Sequence, residues 1–339
     1  MPISPLPDTQ WSAVLHHYTG LDGLQVEQRP IPRPGAGQVL IKLAASPINP
    51  SDTLFIEGRY GFKKALPVVP GFEGAGTVVA AGSGMMPRSY LGRNVACAVQ
   101  AEGDGMWSQY VLVPAMQVFP LPASISLEQG SSALINPLTT LAMLEYAKQH
   151  GYSAFIHTAA ASAIGGMLLR LSKARGIEMI HIVRRAEQIA ALKSQGATYV
   201  LNSTDPHFDT ALAELCKRLN VRLAFDAVGG DLTNRLVHAM PRKSKVRVYG
   251  ALSGDEIRVQ IPDLLFQEKS VEGFWLSDWI RTQNLIKLLW ASRQALGMLG
   301  GTLKTEIRAR YPLQKIHDAL QDYQHQMTGG KVLITPNAE

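Results

Sequence analysis

Residues 154–202 constrain the fold more than any other part of the chain. Ala154, Phe155, Ile156 and His157 form a short apolar run suited to a buried strand. Small residues follow without a break: Thr158, Ala159, Ala160, Ala161, Ser162 and Ala163, then Ile164, Gly165 and Gly166. Ile164, Met167, Leu168, Leu171 and Ala174 recur at helical spacing, and Gly176 stands where a helix would stop. A second strand over 179–183, a second helix over 186–195 closed by Gly196, and a third strand over 199–201 complete the pattern. Strand, small-residue turn, helix and strand in this order suit a bound dinucleotide.

In such a turn, small residues let the backbone approach a pyrophosphate, and the helix start offers free N–H groups to its charge. The usual G-x-G-x-x-G spacing is degenerate here. Counting back from Gly165, its first two glycine positions hold Ala160 and Ser162. Small residues at such a junction can also serve packing alone, so the end of the second strand carries the weight. A carboxylate there would bind both ribose hydroxyls, whereas Arg184 and Arg185 suit an added 2′-phosphate. The expectation is NADPH over NADH, and the alternative is a solvated basic turn.

A chain of 339 residues has room for two cores. Its 46% hydrophobic and 18% charged residues are ordinary for an α/β enzyme. No apolar run reaches the length of a membrane span. Residues 1–10, with Pro5, Pro7 and Asp8, do not read as a signal peptide. Cys97 and Cys216 are too few for a disulfide framework or a zinc-binding lobe, and a reducing, cytoplasmic setting is expected. The formal charge of +6 would favour an anionic cofactor or substrate. Without basic blocks interleaved with aromatics, nucleic acid is not an expected partner.

Up to about residue 125 the chain shows β-branched runs broken by Pro and Gly, with strands expected over 39–43, 76–80, 94–98 and 110–113. These suggest a partly closed β-barrel-like domain. From Ser126 helices and strands alternate, as in a parallel doubly wound sheet. Its later strands are expected over 223–226, 245–249 and 271–275. Two helices near 282–295 and 313–325, and a last strand over 331–334 returning to the first domain, complete the reading.

Several segments together carry a family resemblance: Ile48-Asn49-Pro50-Ser51-Asp52, Gly58-Arg59-Tyr60-Gly61, Pro70-Gly71-Phe72-Glu73-Gly74, Asn136-Pro137-Leu138-Thr139-Thr140, Asp226-Ala227-Val228-Gly229-Gly230, and Gly273-Phe274-Trp275-Leu276-Ser277-Asp278-Trp279. Over nearly its whole length the chain resembles the medium-chain dehydrogenase/reductase superfamily, in the zinc-free branch of quinone oxidoreductases and trans-2-enoyl-thioester reductases. The Asn-Pro-Ser-Asp, Gly-x-Tyr-Gly and Gly-Phe-Trp-Leu-Ser segments most resemble the mitochondrial-type enoyl reductases. The resemblance implies an α/β fold: a Rossmann doubly wound parallel sheet over 127–276 that binds NADPH, plus a GroES-like β-rich catalytic domain over 1–126 and 277–339. Zinc-dependent members place Cys, His and Cys at three points where this chain has Asn49, Phe72 and approximately Ile135. Those side chains cannot supply thiolate and imidazole ligands, so no metal is expected.

By the same resemblance, Tyr60 matches a tyrosine proposed as proton donor, and Asn49 would hydrogen-bond the nicotinamide or the substrate carbonyl. The cofactor would further meet Asn136, Thr140, Ala160, Ala161, Ser162, Ala163, Ile164, Arg184, Arg185, Tyr249, Gly250, Phe274 and Trp275. The reaction implied is hydride addition to the β-carbon of an activated C=C, in a 2-enoyl thioester or related enone. A quinone is the alternative acceptor, and a non-catalytic NADPH-binding protein the alternative class. Plainer roles stand beside these. Tyr60 could only wall the pocket, Asn49 could be a turn residue before Pro50, and Asp52 could cap the following segment. Phe274, Trp275 and Trp279 could be core or subunit interface, and His157 a packed or hydrogen-bonded core residue. Tyr60 and Lys64 have the spacing of a short-chain reductase pair, but Gly61 argues for a loop between them. A homodimer pairing strand 271–275 across a two-fold axis is also implied.

Overall fold

A computed structural model of the chain describes residues 5–99 and 102–338. Residues 1–4, at the start of the N-terminal segment read above, lie outside the described residues. The chain divides into two compact units, Met1–Pro137 with Leu289–Glu339, and Leu138–Leu288. Both breaks fall later along the chain than the changes of texture at 126 and 276.

The first unit opens with a hairpin of β1 (Thr9–Leu15) and β2 (Leu24–Pro30). Then come β3 (Gln38–Pro47), β4 (Glu73–Ala81), β5 (Asn94–Ala98), β6 (Tyr110–Pro114) and β7 (Val118–Pro120). Two-residue periodicity gives β3 two buried faces. Val39, Ile41 and Leu43 enter one apolar cluster, while Leu40 packs with Ala80 and Tyr110 in another. The β3–β4 ladder shifts register twice, and such irregularities bend a sheet towards closure.

In the second unit, β8 (Ala154–His157), β9 (Glu178–Val183), β10 (Tyr199–Asn202), β11 (Leu223–Asp226), β12 (Lys245–Val248) and β13 (Ser270–Gly273) form one parallel sheet. Its spatial order is β10-β9-β8-β11-β12-β13. Counted within the unit this is 3-2-1-4-5-6, a doubly wound parallel sheet, the class expected from the sequence. Ala154, Ile156, Ile180, Ala224 and Val246 pack on one side with Phe208, Leu212 and Leu236, from helices Phe208–Arg218 and Gly230–Ala239. Val183 packs in a separate cluster with Ala160 of the turn after β8 and with Leu169 and Leu192 from helices Ala163–Ala174 and Ala186–Ser194. The central strands β8, β9 and β11 are thus buried on both sides, as crossover helices require, while the edge strands β10 and β13 are only half-buried.

The chain returns to the first unit as β14 (Ile307–Pro312) and β15 (Lys331–Thr335). β15 lies between β14 and β3, completing the path β14-β15-β3-β4-β5-β7 with β6 paired to β3. Two expectations need correction. The strand expected over 271–275 ends at Gly273, because Trp275 already caps helix Leu276–Thr282 and its carbonyl accepts the Asp278 N–H. The helix expected near 282–295 starts three residues later, and a separate helix, Leu276–Thr282, precedes it. Gln283 is extended, and the Asn284 side chain accepts the Lys287 N–H to start helix Leu285–Met298.

Candidate active site

In the second unit the small-residue turn joins β8 to helix Ala163–Ala174. Ser162 is its N-cap, its hydroxyl accepting the Gly165 N–H at 3.2 Å. Ala159 holds the left-handed region at φ 49°, which turns the chain out of the strand. The Ala160 N–H donates to Ile182 O on β9, while the N–H groups of Ala161, Ala163 and Ile164 meet no acceptor among the described residues. Gly165 must be glycine, since a Cβ there would stand 2.1 Å from Ala160 O. The third glycine of the fingerprint is therefore kept for close helix–strand packing although the first two are not.

The neighbouring strand ends add fixed polar groups. Asp226, fully buried at the end of β11, accepts hydroxyl protons from Thr158 at 2.7 Å and Thr233 at 2.6 Å, and the Val228 and Gly229 N–H groups. This ties the turn after β8 to the turn after β11, the switch point where ligands of such sheets bind. Arg184 and Arg185 follow β9 and are exposed. Both backbone N–H groups donate to Gln188 Oε1, and the Arg185 side chain pairs with Glu187 at 3.1 Å. The Arg184 guanidinium pairs with nothing among the described residues. Thr140 is buried beside Met167. Tyr249 follows β12 with its hydroxyl 2.7 Å from His157 Nε2. Gly250 lies where a Cβ would approach Ala227 O to 2.7 Å. Phe274 is buried, edge-on to Phe225 and under the Arg247 guanidinium, and Arg281 lies over the Trp275 ring.

In the first unit, Asn49 caps helix Pro50–Ile56 and is 1% exposed. Its backbone N–H donates to Asp52 Oδ2 at 2.8 Å, and Asp52 Oδ1 accepts the Phe72 N–H at 3.0 Å, so Asp52 does cap and orient its surroundings. The Asn49 amide donates to Glu73 Oε1 at 3.1 Å, and its oxygen accepts from Lys331 Nζ on β15. Glu73 Oε2 takes the N–H groups of Leu134 and Ile135, at the start of helix Ile135–Gln149, where Asn136 is also buried. Two carboxylates and one ammonium are thus enclosed together. Burial pushes the Asp52 carboxyl up to about 7 and raises that of Glu73, while it lowers the Lys331 ammonium.

Tyr60 lies in a non-helical segment, so it shares no helix face with Lys64. Its ring is half-buried, 4.9 Å from Phe72 and 5.1 Å from Phe62 between centroids. Both cysteine thiols are buried and raised, Cys216 to about 12, which removes them as nucleophiles. The sequence pointed to neither Glu73 nor Lys331 as a site residue. Glu73 lies in one of the segments that carry the family resemblance but without a role there, and Lys331 lies 282 residues from Asn49.

At the three points where zinc-dependent members carry ligands, the structure has an amide committed to Glu73 and Lys331, a phenyl ring and an isoleucine. That donor set does not fit zinc.

Family models match two stretches: "Alcohol dehydrogenase GroES-like domain" over residues 35–123 and "Zinc-binding dehydrogenase" over 163–291. The chain is 32% identical over 268 residues to the mitochondrial enoyl-[acyl-carrier-protein] reductase of Caenorhabditis elegans, covering 77% of this chain and 76% of that one. It is 28% identical over 346 residues to the human synaptic vesicle membrane protein VAT-1 homolog, covering 96% and 86%. The crystal structure of a protein assigned as an NADPH:quinone reductase from Mesorhizobium loti superposes with a TM-score of 0.91 at 34% identity, over 98% of this chain and 100% of that one. The chain belongs to the medium-chain dehydrogenase/reductase superfamily as a zinc-free, nicotinamide-dependent oxidoreductase with a Rossmann sheet and a GroES-like domain.

Proposed function

We propose that this protein uses NADPH to reduce the C=C bond of an α,β-unsaturated carbonyl compound, with 2-enoyl thioesters as the substrate class. The observation that carries the reading is the rebuilt ligand site: Asn49, Phe72 and Ile135 leave no Lewis acid to lower an alkoxide's pKa. Reduction of a conjugated C=C does not need one, because the substrate's own carbonyl takes up the developing charge as an enolate. The likeness to an enoyl-[acyl-carrier-protein] reductase points the same way. When bound, the cofactor supplies the hydride. The chain's part is to place it and to finish the protonation.

The unused N–H groups of Ala161, Ala163 and Ile164 would receive the pyrophosphate. Arg184, unpaired and exposed, would take the 2′-phosphate, with Arg185 beside it. Asn136, Thr140, Tyr249, Gly250, Phe274 and Trp275 are proposed to complete the cofactor's surroundings. Asn49 keeps one amide hydrogen beyond its bond to Glu73, available to a carbonyl oxygen. Tyr60 would hand its proton to the substrate α-carbon, since a phenol is protonated at neutral pH. Tyr60→Phe should lower kcat by about 10²–10⁴-fold at unchanged NADPH affinity; unchanged kcat ends the proton-donor role.

A quinone is the second reading, favoured by the Mesorhizobium loti structure. NADPH oxidation followed side by side with a 2-enoyl-CoA and a quinone decides between them, and silence with both would favour a non-catalytic nucleotide-binding role. A homodimer through β13 is also proposed. Its outer edge pairs with no strand among the described residues, and Ile261, Leu265 and Phe266, which precede it along the chain, are 64–72% exposed. A monomer in sedimentation at micromolar concentration would exclude it.

A further inference from the structure

The last residue of β8, His157, is fully buried, and burial holds its imidazole neutral by depressing its pKa to about 3. Its Nε2 lies 2.7 Å from the Tyr249 hydroxyl, and the two rings stack at 5.9 Å with 18° between their planes. Its Nδ1 has no partner among the described residues. A buried N–H without an acceptor costs more than a bare lone pair and is rarer in native proteins. In the Nε2–H tautomer the ring donates to the Tyr249 oxygen and Nδ1 keeps a bare lone pair. The hydroxyl's own proton is left to point elsewhere.

The sheet supplies a candidate acceptor for it. A doubly wound sheet binds a dinucleotide as two halves, one on each side of the switch point. Arg184, after β9, marks the adenosine half. Tyr249 follows β12, in the other half, with its N–H fixed on Asp226 O at 2.8 Å. We propose that His157 is a positioning residue that aims the Tyr249 hydroxyl, as a hydrogen-bond donor, at the carboxamide oxygen of the bound nicotinamide. The role deepens the NADPH reading above and rests on it. It gives a buried histidine outside the reacting atoms control over the nicotinamide ring.

The test is calorimetric and needs no turnover. Full-length wild-type protein, Tyr249→Phe, His157→Phe, the double variant and His157→Gln are titrated with NADPH and with 2′,5′-ADP, which carries the adenosine half alone. Tyr249→Phe should weaken NADPH about 3- to 10-fold, the worth of one neutral hydrogen bond, and leave 2′,5′-ADP unchanged. His157→Phe should give the same loss, and the double variant no more than either. His157→Gln, which keeps an amide donor within reach, should restore most of the affinity. Unchanged NADPH affinity in Tyr249→Phe, equal losses for both ligands, or fully additive losses in the double variant would overturn the proposal. Tyr249→Phe keeps the ring and carries the test alone where His157→Phe yields no folded protein. A wild type that binds 2′,5′-ADP but not NADPH overturns the assignment of the nicotinamide half alone; one that binds neither removes the NADPH reading with it.

Discussion

Replacing Gly165 with alanine should uncouple nucleotide binding from the rest of the fold. The new Cβ would lie 2.1 Å from Ala160 O, 2.6 Å from its carbonyl carbon and 2.8 Å from its Cα. All three are backbone atoms of the turn itself, so no side-chain rotation relieves the clash. Clearing the oxygen requires the helix start to move by roughly 1 Å, and overpacking of this kind costs about 1–3 kcal/mol. At about 2–4 °C per kcal/mol for a unit of this size, the melting midpoint should fall by several degrees. The larger effect should fall on NADPH. Its phosphates would lose aligned N–H donors, each charged hydrogen bond being worth about 1.5–3 kcal/mol, or roughly 10- to 100-fold in Kd. Gly166→Ala is the control. Its Cβ would meet only the mobile end of Arg170, at 3.5 Å, and alanine inside a helix gains about 0.5–1 kcal/mol over glycine. Nicotinamide fluorescence titration and thermal melting of the pair make the assay. If Gly165→Ala binds NADPH as tightly as Gly166→Ala and melts with it, the close approach at Ala160 is not what shapes the phosphate turn.

Three further predictions follow from particular contacts. Changing Arg184 and Arg185 together to alanine should weaken NADPH about 10- to 100-fold while hardly touching NADH, and equal losses would remove the reason for preferring the phosphorylated cofactor. His157 and His181 are held at about 3 and 4 by burial, below the ordinary value near 6.5. Their contribution is therefore complete above pH 6.5 and is lost as pH falls towards those values, because the unfolded chain takes up protons that the folded one refuses. By pH 5 this amounts to about 2 kcal/mol for each, and urea melts across this range should show His157→Gln flattening the slope by close to one proton. Lys331→Met leaves Asp52 and Glu73 enclosed without their ammonium and should cost about 3–5 kcal/mol; an unchanged melting temperature would show that the pairing contributes little.

The doubly wound unit was readable because its signals are local. Ala154–His157 and Leu223–Asp226 are strands at the bounds the sequence suggests, and the small-residue turn and the arginines sit where neighbouring residues announce them. The β1–β2 hairpin escaped notice. Its buried run, Ala13, Val14 and Leu15, is short and shows no alternation, and it packs in one cluster with residues far along the chain, Leu313, Ile316 and Leu320. Gly273 ends β13 two residues early because a helix cap competes for Trp275, which apolar patterning cannot weigh against a strand. The cluster around Asn49 is the clearest loss. Each of Asn49, Glu73 and Lys331 is unremarkable at its own position, and only the antiparallel pairing of β3 with both β4 and β15 makes them one site.

That pairing also sets an order of events during synthesis. Asp52 and Glu73 leave the ribosome early, yet the ammonium that neutralises them follows Asn49 by 282 residues. At roughly 5–20 residues per second that gap is on the order of 14–56 s, long enough for the whole second unit, residues 138–288, to emerge and close its sheet. For that interval the first unit lacks both β14 and β15, and its two acids cannot enter a dry interior as anions. The nascent chain must keep this corner open to water, or hold the acids protonated, until its final strand arrives. Chaperone contact and proteolytic vulnerability should accordingly concentrate on 48–73 and fade only once Lys331 has docked.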